Sequence, residues 1–578
     1  MAFLVTLMNH NFAYKDAILK SGGFIIDSET KYDTKDADSY KISKAGFKES
    51  KLREFMARLD PIRARYCMLQ PKLGNGTATI ALLFGMCIPH TCTAGDMQLI
   101  IDRCRAFLAI LFGFIVVGTI VDLWNQANTT ESNPYLNILT VFSVHTNGHQ
   151  LLSTDRRPGT LECIHGIRFL SFAWVLLGHT YLIFAGNSAN PTYILTLPKQ
   201  FLLQFIVNES VAVDSFFLMS GFLLGYLFSL RPIRNVSSLL LYYVHRYLRL
   251  TPVYLLIIAI TVAFWPYIGD GPLWYQAAEI EPNVKMCADY WWRNALYINN
   301  MFDYFDQCFQ WSWYLANDMQ MYWLAPILLI LLDKFNKVGH VAGVVLIVGS
   351  CVARGVVTGV NNWPPSAMGT VNWAIFANMN DILSTIYSKP WMRMGPYIIG
   401  ILAADLLVKI RRRPNMRLSK PISILLWCFT IGIQLAIIWG PYQYADTGHM
   451  PIVSTAIYSA LHRSVWGLAL AGQMLLCLTG NGGPINKLLS WNVLFPLSRL
   501  TYCAYLLHPL VIMFLMYTER KSVYFSHYEM IFKTLAVFGF TYMLAFVCSL
   551  ALESPLIRLE KIILHPAARK DRKVKSET

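Results

Sequence analysis

A chain of 578 residues that is 55% hydrophobic and only 14% charged is no ordinary water-soluble enzyme or binding module, since roughly a quarter of a soluble domain is charged. The bilayer is its solvent. The formal net charge of +15 is scattered over short loops and the tail, as Arg411, Arg412, Arg413, Lys570 and Lys575 show, so it reads as a topology signal and not as a nucleic-acid surface.

Residues 1–8 have no basic start, too short an apolar run and no cleavage site, so they are not read as a secretory signal. Among twelve cysteines, only Cys67, Cys87 and Cys92 cluster, with Cys104 at the edge of the first long apolar run. A small disulfide-linked extracytoplasmic region is expected there, with three possible pairings. The remaining cysteines are mostly isolated in apolar stretches, where a free buried thiol is usual.

Crossing the hydrocarbon takes about 20 mainly apolar residues. Eleven runs qualify, at 105–124, 164–185, 204–229, 240–266, 311–332, 338–358, 392–410, 421–440, 457–479, 494–517 and 531–552. The expected fold is an all-α polytopic membrane protein: extracytoplasmic residues 1–104, a leading helix at 105–124, a cytoplasmic linker at 125–160, a ten-helix bundle within 161–560 and a basic cytoplasmic tail at 561–578. With the first span running inward, Arg156, Arg157, Arg231, Arg234, Lys334, Lys337, Lys409 to Lys420 and Lys487 all fall in cytoplasmic loops. Arg520 and Lys521 are the main exception. The N-terminus is then outside or lumenal and the C-terminus cytoplasmic, in a plasma membrane or endomembrane. The opposite loops, 267–310 and 359–390, are poor in Lys and Arg and rich in Trp, Pro and Asn, which suits folded caps. The sequon at Asn75 lies on the translocated side, and those at Asn128 and Asn235 do not.

Ionisable side chains inside a bilayer are costly and face a cavity or a partner. Arg168 and His179, eleven residues apart, project from nearly one helix face, separated by roughly 16 Å along the axis. A guanidinium suits a phosphate and an imidazole moves protons near neutral pH. The plain alternative is an arginine that snorkels and a histidine that bonds a neighbouring helix. By depth, Arg168, Arg246, Arg249 and Arg499 lie in the cytoplasmic halves of their spans, whereas His179, Asp214, Asp318 and His508 lie from mid-membrane outward. Several of these have a structural reading as well. Asp214 can cap a bend near Ser220-Gly221, and Arg246 and Arg249 can anchor a helix end to headgroups. His508 can bond the carbonyl that Pro509 frees. Ser220-Gly221 reads as close helix packing, not as a nucleophile. No spacing suggests a metal site.

Five ordered motifs resemble the membrane acyltransferase 3 family: Gly166-Ile167-Arg168 through His179, Val213-Asp214-Ser215-Phe216-Phe217 through Ser220-Gly221-Phe222, Arg246-Tyr247-Leu248-Arg249 through Pro252, Trp313-Tyr314-Leu315 through Asp318-Met319-Gln320-Met321-Tyr322, and Tyr505-Leu506-Leu507-His508-Pro509. Cys67, the Gly85-Met86-Cys87-Ile88-Pro89-His90-Thr91-Cys92 segment and Phe142-Ser143-Val144-His145 before Leu151-Leu152-Ser153-Thr154 are similar to its nose resistant to fluoxetine subgroup. The resemblance covers roughly residues 62–560; Phe169 and Asp318 replace the Gly and Glu of the wider family. It implies transfer of an acyl group from cytosolic acyl-CoA, a co-substrate and not a bound cofactor, to a lipid, sterol-like or glycan acceptor in the membrane. Arg168, Arg246 and Arg249 then receive the CoA phosphates, and His179 is the general base. Asp214 or Asp318 orients that imidazole, and His508 joins them. The alternative is a carrier of lipids or small hydrophobic molecules, since intramembrane charges also mark transport pathways.

Overall fold

The computed structural model describes residues 66–67, 86–87, 94–128, 136–156, 160–274, 284–366, 378–413 and 418–564. The expected disulfides among Cys67, Cys87, Cys92 and Cys104, the sequon at Asn75 and the tail beyond 564 lie outside the described side chains. The chain divides into two units, Met1–Arg105 and Ala106–Thr578. Apart from a two-residue pairing of Tyr66–Cys67 with Met86–Cys87 and one isolated bridge, the described regular structure is helical.

Eleven long helices run in chain order among the described residues: α1 Ala94–Ala127, α2 Cys163–Phe184, α3 Val211–Leu230, α4 Val236–Phe264, α5 Trp313–Lys334, α6 Asn336–Val360, α7 Pro390–Arg411, α8 Lys420–Trp439, α9 Ile452–Leu478, α10 Thr501–Tyr517 and α11 His527–Cys548. Among the described residues, nine helices are long and apolar enough to cross a membrane. The chain is a multi-pass membrane protein. Two expected spans fall short of that measure for physical reasons. Helix α9 is long enough but carries buried Ser459, His462, Arg463, Ser464 and Gln473. The expected span at 494–517 divides at Leu500, leaving α10 with 17 residues, about 26 Å of helix.

Small residues bring α3 and α7 together, because lipid gives helices no hydrophobic reason to associate and close backbone approach must supply the attraction. A Cβ on Gly221 would lie 2.0 Å from the Tyr397 carbonyl oxygen, and one on Gly400 would lie 2.2 Å from that of Leu218. The close packing expected at Ser220-Gly221 is therefore present. Gly221→Val is expected to destabilise the chain by about 1–3 kcal/mol or more, read as a lowered unfolding temperature in detergent; an unchanged temperature would contradict this packing.

A proline inside a helix exposes the carbonyl four residues earlier, because it has no N–H to give it, and at three of the four such prolines in the long helices a side chain takes the freed acceptor. Pro326 frees the Tyr322 carbonyl, which accepts from the Tyr242 hydroxyl at 2.9 Å. Pro396 frees the Met392 carbonyl, which accepts from Arg354 and Arg463. Pro509 frees the Tyr505 carbonyl, which accepts from His508 Nδ1 at 2.8 Å. Each of these three acceptors thus draws a polar side chain from the same or a neighbouring helix into the bundle.

The folded cap expected over 267–310 is present in its described part. A disulfide joins Cys287 to Cys308, two cysteines that sequence reading leaves unpaired. Buried Asn300 bonds Asn317 and Gln320 of α5 and the Ser388 carbonyl before α7, and Lys389 donates to the Asn300 carbonyl. At the opposite end, a short helix, Val144–Leu152, is capped by Ser143, whose hydroxyl also donates to Asp122 of α1 at 2.6 Å. Arg499 donates to the carbonyls of Gln150, Leu151 and Ser153 where that helix finishes. This is why an arginine sits at the α10 entrance: it satisfies a helix C-terminus.

Candidate active site

Helix α2 delivers His179 and α10 delivers His508, and the two rings meet with His179 Nδ1 3.0 Å from His508 Nε2. Their nitrogens can be assigned from the hydrogen-bond network. The Tyr505 carbonyl only accepts, so His508 Nδ1 carries the hydrogen and His508 Nε2 carries a lone pair. His179 Nδ1 must then donate to that lone pair. In the neutral pair, His179 Nε2 is left as the basic nitrogen. His508 is fully buried, with the edge of Phe172 against its ring at 5.4 Å between centroids; His179 is half-buried. The proline-freed carbonyl anticipated at His508 is real, and it orders the pair.

Neither aspartate weighed as a partner for His179 bonds it. Asp318 pairs with Arg246 and accepts from Ser220 Oγ at 2.6 Å. Arg246 also stacks its guanidinium on the Tyr322 ring, 4.1 Å from the centroid. Asp214 lies in a buried ion pair with Arg393 of α7, whose Nη1 contacts both carboxylate oxygens at 3.1 Å, with 1% and 0% of the two side chains exposed. The physical reason is charge: a buried carboxylate is held by a permanent cation more firmly than by a neutral imidazole. Tyr314 of α5 connects the two groups. Its ring packs 5.5 Å from that of Tyr505, one turn before His508 on α10, and it stands one turn before Asp318 on α5.

The arginines proposed for phosphates differ in availability. Arg249 is exposed and Arg168 half-buried, whereas Arg246 is committed to Asp318. Charge is also less cleanly sorted by depth than the sequence suggests. Arg354, Arg393 and Arg463 lie toward the end that holds Asp214 and His179, and all three are buried. Sequence reading passes over them, although each sits within or at the edge of an apolar run, which is the signal that singles out Arg168. Among the described residues no group of His, Cys, Asp or Glu is arranged to hold a metal ion.

The acyltransferase 3 family model, an acyltransferase domain, matches residues 161–553. The chain belongs to the acyltransferase 3 family. It is 31% identical over 554 residues, 84% of its length and 67% of the relative's, to Nose resistant to fluoxetine protein 6 of Caenorhabditis elegans, which supports membership of that subgroup. It is 24% identical over 413 residues, 66% of its length and 76% of the relative's, to Regulator of hypoxia-inducible factor 1 of the same organism. No solved structure matches. The acyltransferase 3 domain thus contains both members of the histidine pair, the Asp318–Arg246 pair and the buried arginines.

Proposed function

We propose that the chain transfers an acyl group from cytosolic acyl-CoA to a hydroxyl or amine of a lipid, sterol-like or glycan acceptor, with His179 Nε2 as general base. The observation that carries this reading is the ordered pair: a basic nitrogen held by His508, which is itself fixed by a backbone carbonyl. The acceptor oxygen or nitrogen attacks the thioester carbonyl as His179 Nε2 takes its proton. Collapse of the tetrahedral intermediate breaks the carbon–sulfur bond, and the imidazolium returns the proton to the departing CoA sulfur. His508 Nε2 accepts from His179 Nδ1 throughout and so favours the imidazolium. Arg168 and Arg249 are the proposed partners of the CoA phosphates.

The proposed orientation puts the Cys287–Cys308 cap outside or in a lumen, because structural disulfides persist in oxidising compartments. It agrees with the basic loops at the opposite end. Mass spectrometry of the unreduced protein is expected to find Cys287 and Cys308 linked; both alkylated without prior reduction would overturn the orientation.

The test of function is transfer of label from radiolabelled acetyl-CoA and longer acyl-CoAs by reconstituted protein supplied with a membrane-lipid extract. Labelled product is expected. Its absence, with specific lipid uptake by the same proteoliposomes, would instead favour the carrier reading.

A further inference from the structure

Tyr502, Tyr505 and His508 stand at three-residue intervals on α10, and so down one side of that helix. Each gives a hydrogen to a main-chain carbonyl. The Tyr502 hydroxyl donates to Leu250 of α4 at 2.7 Å, the Tyr505 hydroxyl to Trp311 at 2.7 Å, and His508 Nδ1 to Tyr505 at 2.8 Å. The first two bonds leave α10 for other parts of the chain, and the third returns to it. Apolar packing has no direction, so by itself it sets the register of a helix only loosely. A hydroxyl that must point at a carbonyl sets it closely.

The second bond ends on a turn that is itself held. Trp311 lies three residues after Cys308, which is joined to Cys287. Between them, Phe309 has φ 50° and ψ 74°, a left-handed conformation that an aromatic residue keeps only where its surroundings impose it. Those surroundings are the disulfide at the preceding residue, Asn294 Nδ2 donating to the Cys308 carbonyl at 3.0 Å, and the Trp311 ring stacked 4.5 Å from that of Phe309. Asn294 Nδ2 also donates to the Tyr254 hydroxyl of α4, so the turn is braced against the same helix that receives Tyr502.

At its other end, Tyr505 meets the histidine pair twice. Its carbonyl orients His508 Nδ1, and its ring lies 6.1 Å from the His508 ring, centroid to centroid. One side chain thus joins the disulfide-linked turn to the imidazole that holds His179.

We propose that Tyr505 is a positioning residue for the histidine pair, and that the turn closed by Cys287–Cys308 sets, through the Trp311 carbonyl, the register in which α10 offers His508 to His179. The role given to the pair rests on the acyl-transfer reading; the coupling of the turn to α10 does not. The cap is then a working part of the site as well as its cover.

The test compares the full chain in nanodiscs as wild type, Tyr505→Phe, the disulfide-free Cys287→Ser with Cys308→Ser, and all three changes together. Tyr505→Phe removes one oxygen and is expected to lower kcat by about 10- to 100-fold, the scale on which a small misplacement of a reacting group acts, with KM for acyl-CoA unchanged. Tyr505→Leu, which also removes the ring beside His508, should lower kcat further. The Tyr505→Phe change should lower the unfolding temperature of the wild type by about 1–2 °C, as loss of one hydrogen bond does in a long chain. It should leave that of the disulfide-free chain where it is, because the turn no longer holds the acceptor in place. Losses that simply add in the combined variant, in unfolding temperature and in kcat alike, overturn the coupling. A Tyr505→Phe kcat equal to wild type, or a raised KM with kcat unchanged, overturns the positioning role, and this arm stands even if the disulfide-free chain fails to fold. Wild type without any transfer sinks the acyl-transfer reading, and the unfolding temperatures then decide the coupling alone.

Discussion

His179→Ala is expected to lower acyl transfer by about 100- to 10,000-fold, the usual contribution of a positioned general base, while the protein folds and binds acyl-CoA as before. The case rests on where the lone pairs lie. His508 Nδ1 is committed to the Tyr505 carbonyl and His508 Nε2 to His179 Nδ1, which leaves His179 Nε2 as the nitrogen able to take a proton. His508→Gln should retain more activity than His508→Ala, because an amide oxygen can still accept from His179 Nδ1 and alanine cannot. The measurement is initial rate with radiolabelled acyl-CoA, matched for folded protein. A His179→Ala rate within about threefold of wild type would remove this histidine from the chemistry, since a general base contributes far more than that. Equal rates for the two His508 variants would remove the ordering role of His508.

Asp214→Ala is expected to cost about 3–5 kcal/mol of stability, because truncating one partner leaves a buried charge uncompensated. Arg393 then has no carboxylate of its own, in a cluster that already holds Arg354 and Arg463. The double variant Asp214→Ala with Arg393→Met should recover much of the loss, since it removes the stranded cation as well. Unfolding temperature and the fraction eluting as a single species in size-exclusion chromatography are the readouts. A double variant less stable than Asp214→Ala alone would mean that Arg393 stabilises the fold by means other than this pair, through Tyr387 or Trp313, against whose rings it also packs.

Helix positions are legible in the sequence because the bilayer enforces long apolar runs. The run at 164–185 is the helix Cys163–Phe184, and that at 392–410 is Pro390–Arg411. His179 and His508 are legible as costly residues at similar depth, and Pro509 even announces the carbonyl that holds one of them. Pairing is not legible. Asp214 and Arg393 are 179 residues apart, and only the glycine contact between α3 and α7 brings them together. Arg246 and Asp318, 72 residues apart, likewise meet only through the packing of α4 beside α5. The Cys287–Cys308 bond escapes because its cysteines lie singly among aromatic and polar residues, with nothing local to mark them as partners.

The loss of one backbone hydrogen at Pro509 has a reach beyond the bend that a proline makes. It fixes which edge of His508 faces its neighbour, and through that edge which nitrogen of His179 is left to act. The direction of a two-ring hydrogen-bond chain is therefore written in a residue that does not titrate. A chain with both histidines intact and an ordinary helix residue at this position would keep all its ionisable groups and lose the instruction that gives them direction.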